Sequence, residues 1–275
     1  MKNNKKKIAF LTLAGVVSVS TLSAYATAEY QQSKNEHMTN SVLWYQKSGE
    51  MKALYYQAYN LGKMMVDERL EQKDMKNKNK APKLAIVLDI DETVLDNSPH
   101  SAYSIAENVD YPTGWSEWIA SAQAEALPGA LEFLDYVDSK GIEIFYVSNR
   151  TTEEKDATMK NLKEKGFPQV SVDNVVLKTT TSSKEARREA IAKDYEIVAF
   201  FGDNLGDFAK DFDKKPLAER NGNVDRLQDE FGKKFIVLPN PMYGDWEGAV
   251  YEYNFSKSPA EKDKARKDAL NVFHP

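Results

Sequence analysis

The sequence contains no cysteine among its 275 residues, so a disulfide framework, a thiolate zinc site and a catalytic thiol are all excluded. Histidine is nearly as scarce, with His37 and His274 near the ends of the chain and His100 in a segment that reads as a surface loop. Positive charge is also in deficit: 37 basic residues face 42 acidic ones, for a net charge of −5. An acidic surface disfavours the polyanionic backbone of nucleic acid, so no nucleic acid polymer is expected as a partner. A small phosphate ester drawn into a locally positive pocket is not excluded by the same argument. Only one long apolar run is present. It extends from Ile8 to about Ser23, follows Lys2, Lys5, Lys6 and Lys7, and leads into the small residues Ala24, Ala26 and Ala28. This is the layout of a signal peptide over residues 1–28. Export to the cell envelope or the medium is the expectation, with membrane association only through this N-terminal segment.

What the chain does have falls into two characters. From Met38 to about Leu70, the residues Met51, Leu54, Tyr55, Ala58, Leu61 and Met65 recur at three- and four-residue steps, which predicts an amphipathic helix. The stretch Glu71 to Pro82 is rich in Lys and Asn and reads as a solvated linker, closing an N-terminal helical segment over 29–82. Beyond it come five short β-rich runs: Leu84–Ile90, Glu143–Val147, Asn174–Leu177, Ile197–Phe201 and Lys234–Leu238. Alternating with helical patterns, they predict an α/β core with a parallel sheet covered by helices on both faces, over residues 83–250. Helix ends are legible at Pro128-Gly129, at Gly141, and at the capping-box pairs Thr151 with Glu154 and Ser182 with Glu185. A Tyr- and Trp-rich stretch at about 97–126 fits neither pattern and reads as an insertion over the edge of the sheet. Residues 251–275 form a C-terminal segment.

In a parallel sheet, ligands sit beyond the carboxyl ends of the strands. Those ends are consistently polar here. The first is Asp89-Ile90-Asp91-Glu92-Thr93, the second Ser148-Asn149-Arg150, and the fourth Gly202-Asp203-Asn204-Leu205-Gly206-Asp207, with Lys184 opening the helix after the third. Asp89 and Asp91 are two apart and so point to one side of an extended backbone. If Asp203 and Asp207 join them, like charges repel by roughly 4 kcal/mol per pair at about 4 Å and an effective dielectric near 20. Either a cation neutralises the cluster or a carboxyl keeps its proton. Carboxylate oxygens without histidine or thiol select Mg²⁺ or a similar hard ion. Asp89 is then placed to attack phosphorus, and Asp91, kept protonated by its neighbours, to donate to the leaving alkoxide and later to activate water. Lys184 and the Ser148 hydroxyl would hold the phosphoryl oxygens. Thr93, Asn149 and Arg150 complete the candidate substrate-binding set, together with Tyr243, which is suited to stack on a flat leaving group. Trp115, Trp118 and Trp246 are further aromatic candidates.

Taken together, these four strand-end motifs resemble those of the haloacid dehalogenase superfamily of phosphohydrolases. The run Ile86 to Asn97, with Ser41-Val42-Leu43-Trp44-Tyr45-Gln46 near the start and Tyr243-Gly244-Asp245-Trp246-Glu247-Gly248 near the end, is similar more narrowly to the class C bacterial acid phosphatases. The resemblance implies a Rossmann-like parallel sheet with helices on both faces, plus a small helical domain assembled from N- and C-terminal segments. It implies Mg²⁺ held by the Asp89 side chain, the Asp91 backbone carbonyl and Asp203, with Asp207 in support. It also implies activity at acid pH on small phosphomonoesters, nucleoside monophosphates among them, and a homodimer. Members of the family are commonly lipoproteins. Leu22-Ser23-Ala24-Tyr25 departs from their pattern, with Tyr25 in place of the acylated cysteine, so lipid anchoring is not expected. Two other readings share the residues: a phosphotransferase using the same aspartyl-phosphate, and a surface binding protein built on a phosphatase-derived core.

Overall fold

The computed structural model describes residues 34–74 and 82–275; the predicted signal peptide and most of the predicted linker lie outside them. Five parallel strands form the central sheet: β1 (Lys83–Leu88), β4 (Glu143–Thr151), β5 (Val175–Lys178), β6 (Tyr195–Gly202) and β7 (Phe235–Val237), in the order β5-β4-β1-β6-β7. The chain leaves β1 towards β4 and β5, then returns past it to β6 and β7. The direction of winding therefore reverses at β1, and the crevice expected at such a reversal opens over its carboxyl end.

Strand periodicity explains how both faces are buried. Leu84, Ile86 and Leu88 of β1 join Ile144 and Tyr146 of β4 in one core, while Ala85 and Val87 join Phe145, Val147 and Phe200 in another. The first core is covered by α2 (Gly49–Asp74) and α5 (Ala130–Ser139), the second by α7 (Glu185–Ala192) and the turns around Phe208 and Phe231. Close approach of α2 depends on Gly62. A Cβ there would sit 2.5 Å from the Phe201 ring and 3.1 Å from that of Phe133, so the helix lies directly on the aromatic layer formed by Tyr59, Phe133 and Phe201. Burying Ile86, Leu88 and Phe201 this completely contributes about 1.5–3 kcal/mol each.

The helix expected from Met38 to Leu70 is two helices, α1 (Thr39–Lys47) and α2. Ser48 takes ψ of 144° and its hydroxyl accepts from the N–H of Met51 at 3.1 Å, ending one helix and capping the next. The linker begins later than the composition suggests, because α2 continues to Asp74. The capping box at Thr151 and Glu154 forms, but Ser182 does not cap α7; the neighbouring Ser183 hydroxyl accepts from Glu185 N–H at 3.4 Å instead. Gly141 adopts φ of +66° just after α5, the left-handed stop its position indicated.

Between β1 and α5 the chain makes an excursion of two short antiparallel strands, β2 (Leu95–Asp96) and β3 (Glu125–Ala126), with α3 (Ser98–Ala106) and α4 (Trp115–Ser121) between them. His100 is not in a surface loop. It lies in α3, 7% exposed, against the carbonyl of Thr113 at 3.0 Å. After β7 come α9 (Asp245–Val250) and α10 (Pro259–Asp268), which follow α6 (Lys155–Glu164) and α8 (Leu217–Arg226) in the chain. Glu247 of α9 lies 3.7 Å from His37 Nε2 and is ion-paired with Arg266 at 3.5 Å, so the two end segments meet, and His37 has a carboxylate beside it rather than solvent alone. No helix among the described residues is long and apolar enough to cross a membrane.

Candidate active site

At the end of β1 the ladder persists for one residue, the N–H of Asp89 donating to Phe201 O at 2.9 Å. The chain then closes tightly. Val94 and Leu95 both donate to the carbonyl of Ile90 at 2.9 Å, and Glu92 adopts φ of +52°. Such a turn is costly for a residue with a Cβ, and here α2 holds it from behind. Tyr55 and Tyr59, one helical turn apart, donate their hydroxyls to the carbonyls of Glu92 and Thr93 at 2.5 and 2.7 Å.

The side chains of Asp89, Asp203 and Asp207 meet over this turn, with one carboxylate oxygen from each within 4.8 Å of the others. Gly202 makes room for the last of them, because a Cβ at that position would collide with the Asp207 carboxylate. Asp207 also caps its own loop, accepting from Asn204 N–H at 2.9 Å. Among the described residues, one cation is ion-paired to the group. Lys184, 4% exposed, sits at the start of α7 with Nζ 2.5 Å from Asp89 and 2.6 Å from Asp207. Burial above all pushes the Asp89 carboxyl up to about 7; Lys184 pulls against this, while Asp207 and Asp91 add to it. Asp203 is held well above its ordinary range by burial first, then by Asp207 and Asp89. For Lys184 burial opposes the charge, but the two carboxylates outweigh it and keep the ammonium above its usual value. A pocket of three hard oxygen donors with one lysine carries surplus negative charge, and that donor set fits Mg²⁺ or a similar divalent ion.

Asp91 lies beside this cluster in a different setting. Its Oδ1 accepts from Arg150 at 2.8 and 2.9 Å and from Asn97 Nδ2 at 2.8 Å, and its Oδ2 from the Ser148 hydroxyl at 3.1 Å. Spacing alone suggested a carboxyl crowded by like charges, whereas three donors surround it, one of them a guanidinium. Arg150 itself is buried, bonded also to Thr158 at 3.1 Å and Asn97 at 3.3 Å, and turned towards Asp91 rather than outward as a free anion site. Trp118 completes the arrangement by donating to Asn97 Oδ1 at 2.8 Å, which ties this aromatic to the surroundings of Asp91.

The remaining candidates are spread more widely. Ser148 is fully buried with its hydroxyl on Asp91. Asn149 is exposed, and its Oδ1 accepts from Arg187 at 2.6 Å. Thr93 is fully buried with its hydroxyl unpartnered. Tyr243 leans on the core with its hydroxyl buried and unpartnered, Trp246 beside it is 43% exposed, and Trp115 stands edge-on to His100 at 5.1 Å.

Several residues that the strand-end motifs did not include belong to the site. Arg187 and Arg188 continue the cationic side of α7 begun by Lys184: Arg187 donates to Ser148 O at 2.6 Å, and Arg188 to the carbonyls of Gly206 and Asp207 at 2.8 Å each. Asn240 donates to Asp203 Oδ2 at 2.8 Å. Its position two residues past Leu238, at the fifth strand end, was a usable signal, as was the Arg pair one turn after Lys184. Asn97 had no such signal, since its role depends on how the excursion folds back.

The family model for HAD superfamily, subfamily IIIB (acid phosphatase), matches residues 3–246. Among solved structures, the class C acid phosphatase from Bacillus anthracis superposes with a TM-score of 0.83 at 51% identity, covering 88% of this chain and all of that one. A crystal structure of the Bacillus anthracis enzyme with tungstate bound gives the same TM-score and identity over 87% and 99%. More distant is the stem 28 kDa glycoprotein of Glycine max, 31% identical over 172 residues, which are 59% of this chain and 60% of that protein. Acid phosphatase 1 of Solanum lycopersicum is 26% identical over 57% of each chain. The chain thus spans less than two thirds of the curated relatives it matches. With a five-stranded parallel sheet flanked by helices and this cluster over its central strand, the chain belongs to the subfamily IIIB acid phosphatases of the haloacid dehalogenase superfamily.

Proposed function

We propose that this protein is an exported, magnesium-dependent acid phosphatase that hydrolyses small phosphomonoesters, nucleoside monophosphates among them, through a phosphoryl group carried on Asp89. The observation that carries the reading is the cluster of Asp89, Asp203 and Asp207, with Lys184 paired to the first and last of them, beside a further aspartate held by a guanidinium and a serine hydroxyl. Tungstate, a tetrahedral oxyanion like phosphate, is bound in the Bacillus anthracis relative, which supports a phosphate-sized site here.

The chemistry divides between the two carboxylates. An oxygen of Asp89 attacks phosphorus as the bond to the ester oxygen breaks, and Asp91 gives its proton to the departing alkoxide. Asp91, now a carboxylate, takes a proton from water; that water attacks the same phosphorus, the bond to Asp89 breaks, and inorganic phosphate leaves. Lys184 and Ser148 are the donors for the phosphoryl oxygens, and Lys184 counters the charge that builds on them. When bound by Asp89, Asp203, Asp207 and the Asp91 carbonyl, Mg²⁺ supplies the positive charge that lets a phosphate dianion approach three carboxylates. The first step needs a proton on Asp91, so the proposed cycle favours acid conditions. Tyr243 is the residue proposed to stack on a flat leaving group.

Release of inorganic phosphate from a panel of phosphomonoesters, assayed from about pH 4 to 8 with Mg²⁺ and with chelator, tests the reading. Turnover should need the ion, fall as the pH rises and drop by at least about four orders of magnitude in Asp89→Asn. Undiminished turnover in that variant would overturn the assignment of the nucleophile. Phosphoryl transfer to an added alcohol at the expense of released phosphate would replace hydrolysis with the phosphotransferase alternative.

A further inference from the structure

Asn240 stands between two parts of the site that are otherwise separate. Its amide nitrogen donates to Asp203 Oδ2 at 2.8 Å, on the side of the acidic trio. Its amide oxygen accepts from the backbone N–H of Met242 at 2.9 Å and of Tyr243 at 3.4 Å, on the side of the Tyr243 loop. Only one orientation of the amide serves both, since a flipped group would set an oxygen against a carboxylate and an NH₂ against two N–H groups. Both ends are anchored further. Leu238 N–H donates to Gly202 O at 2.9 Å, fixing the strand ends that carry Asn240 and Asp203 side by side, and Trp246 Nε1 donates to Tyr243 O at 3.2 Å. A buried, unpartnered Tyr243 hydroxyl lies on this same loop.

We propose that Asn240 is a positioning residue that couples the cation-holding carboxylate Asp203 to the loop carrying Tyr243, so that filling the acidic trio sets the wall on the leaving-group side. The inference rests on the phosphatase reading above, in which Asp203 is a ligand and Tyr243 meets the substrate. The physical basis is that a ligand carboxylate has its free oxygen oriented by a hydrogen bond, and that the donor here is also the acceptor that shapes a turn. No other described side chain is hydrogen-bonded to both Asp203 and this loop.

The test compares wild type with Asn240→Ala and Asn240→Asp, each checked for a cooperative melt. Three quantities are read: Mg²⁺ affinity by calorimetry without substrate, hydrogen exchange at the Met242 and Tyr243 amides with and without Mg²⁺, and KM against kcat for an aryl and a small alkyl phosphate. In wild type, Mg²⁺ should slow exchange at both amides. In Asn240→Ala, Mg²⁺ affinity should fall roughly 10- to 100-fold, the two amides should exchange fast whether or not Mg²⁺ is present, and KM should rise for the aryl ester more than for the alkyl one. Asn240→Asp keeps the acceptor but not the donor. Its amides should stay protected and its aryl KM should stay within about twofold, while the effect of Mg²⁺ on exchange disappears. It carries the test alone if the alanine variant does not fold. Mg²⁺ affinity and Mg²⁺-dependent protection unchanged in the variants would overturn the coupling while leaving the phosphatase reading intact. A wild type that neither binds Mg²⁺ nor releases phosphate would overturn that reading itself.

Discussion

Asp89 and Asp91, which follow β1 with one residue between them, live in opposite electrostatic surroundings. Around Asp89, three carboxylates gather with one lysine that pairs to two of them, and burial raises the proton affinity of Asp89. Around Asp91, a buried guanidinium, an amide and a hydroxyl converge on a single carboxylate. The first half is short of positive charge and the second is balanced. A deficit of that kind is what a divalent ion and a phosphoryl group can exploit, whereas a balanced, rigidly oriented carboxylate suits repeated proton transfer at a fixed point. The contrast comes from the helices behind the sheet: α7 delivers its lysine to the first half, and the excursion between β2 and β3 delivers Asn97 to the second.

Removing Lys184, the cation paired with Asp89 and Asp207, should do the most damage. With Lys184→Met, two buried carboxylates lose their partner, and stability measured by urea unfolding in chelator at neutral pH should fall by about 3–5 kcal/mol. Turnover should fall by at least about 10³-fold, because the phosphoryl oxygens lose a donor as well. A variant as stable as wild type would show that the trio does not depend on this lysine, and would dissolve the contrast. In the balanced half, Arg150→Met should cost about 10² in kcat with KM nearly unchanged, since Asp91 loses its orientation but the phosphate site is left in place. An equal rise in KM would mean that Arg150 meets the substrate directly.

The acid side of the contrast is also open to a proton count. Because Asp89 is pushed up to about 7 without an ion, the empty trio holds a proton at acid pH that Mg²⁺ must displace. Mg²⁺ affinity should therefore rise with pH through the acid range, by as much as about tenfold per unit for each proton displaced. Calorimetry in two buffers of different ionisation enthalpy reads the proton release directly. Ion binding at about pH 5 to 6 with no proton release would place the proton elsewhere.

Much of this was legible from the chain because strand ends are written in short contiguous motifs. Asp89, Asp91, Ser148, Lys184, Asp203 and Asp207 each follow or flank a β-rich run, and those runs already predicted a parallel sheet buried on both faces. What was not legible is which partner each charge would take. Arg150 reads as a substrate contact from its place after Ser148-Asn149, yet the side chain turns inward because Asp91, Thr158 and Asn97 offer it acceptors. Likewise the break at Ser48 is set by one ψ angle and one hydroxyl, which a helical repeat of apolar residues does not encode.

The smallest effect expected is in Glu92, which sits behind both halves. It is fully buried, with Oε1 accepting from Asn97 N–H at 2.7 Å and Oε2 unpartnered. Burial first, then Asp91, Asp203 and Asp96, holds its carboxyl well above the ordinary 4.5. The folded chain thus keeps a proton on Glu92 that the unfolded chain releases once the pH passes about 4.5, so this residue's contribution is fully favourable only below that pH and is lost as the pH climbs towards the raised folded value. Glu92→Gln cannot lose that proton. Thermal melts of the two chains in chelator should nearly coincide near pH 4.5 and separate as the pH is raised towards 8, with the variant the more stable of the pair. Melting curves that shift in parallel across the whole range would mean that Glu92 does not titrate in the fold. The rise in melting temperature with chelator present also separates this residue from the cation, whose binding would stabilise both chains alike.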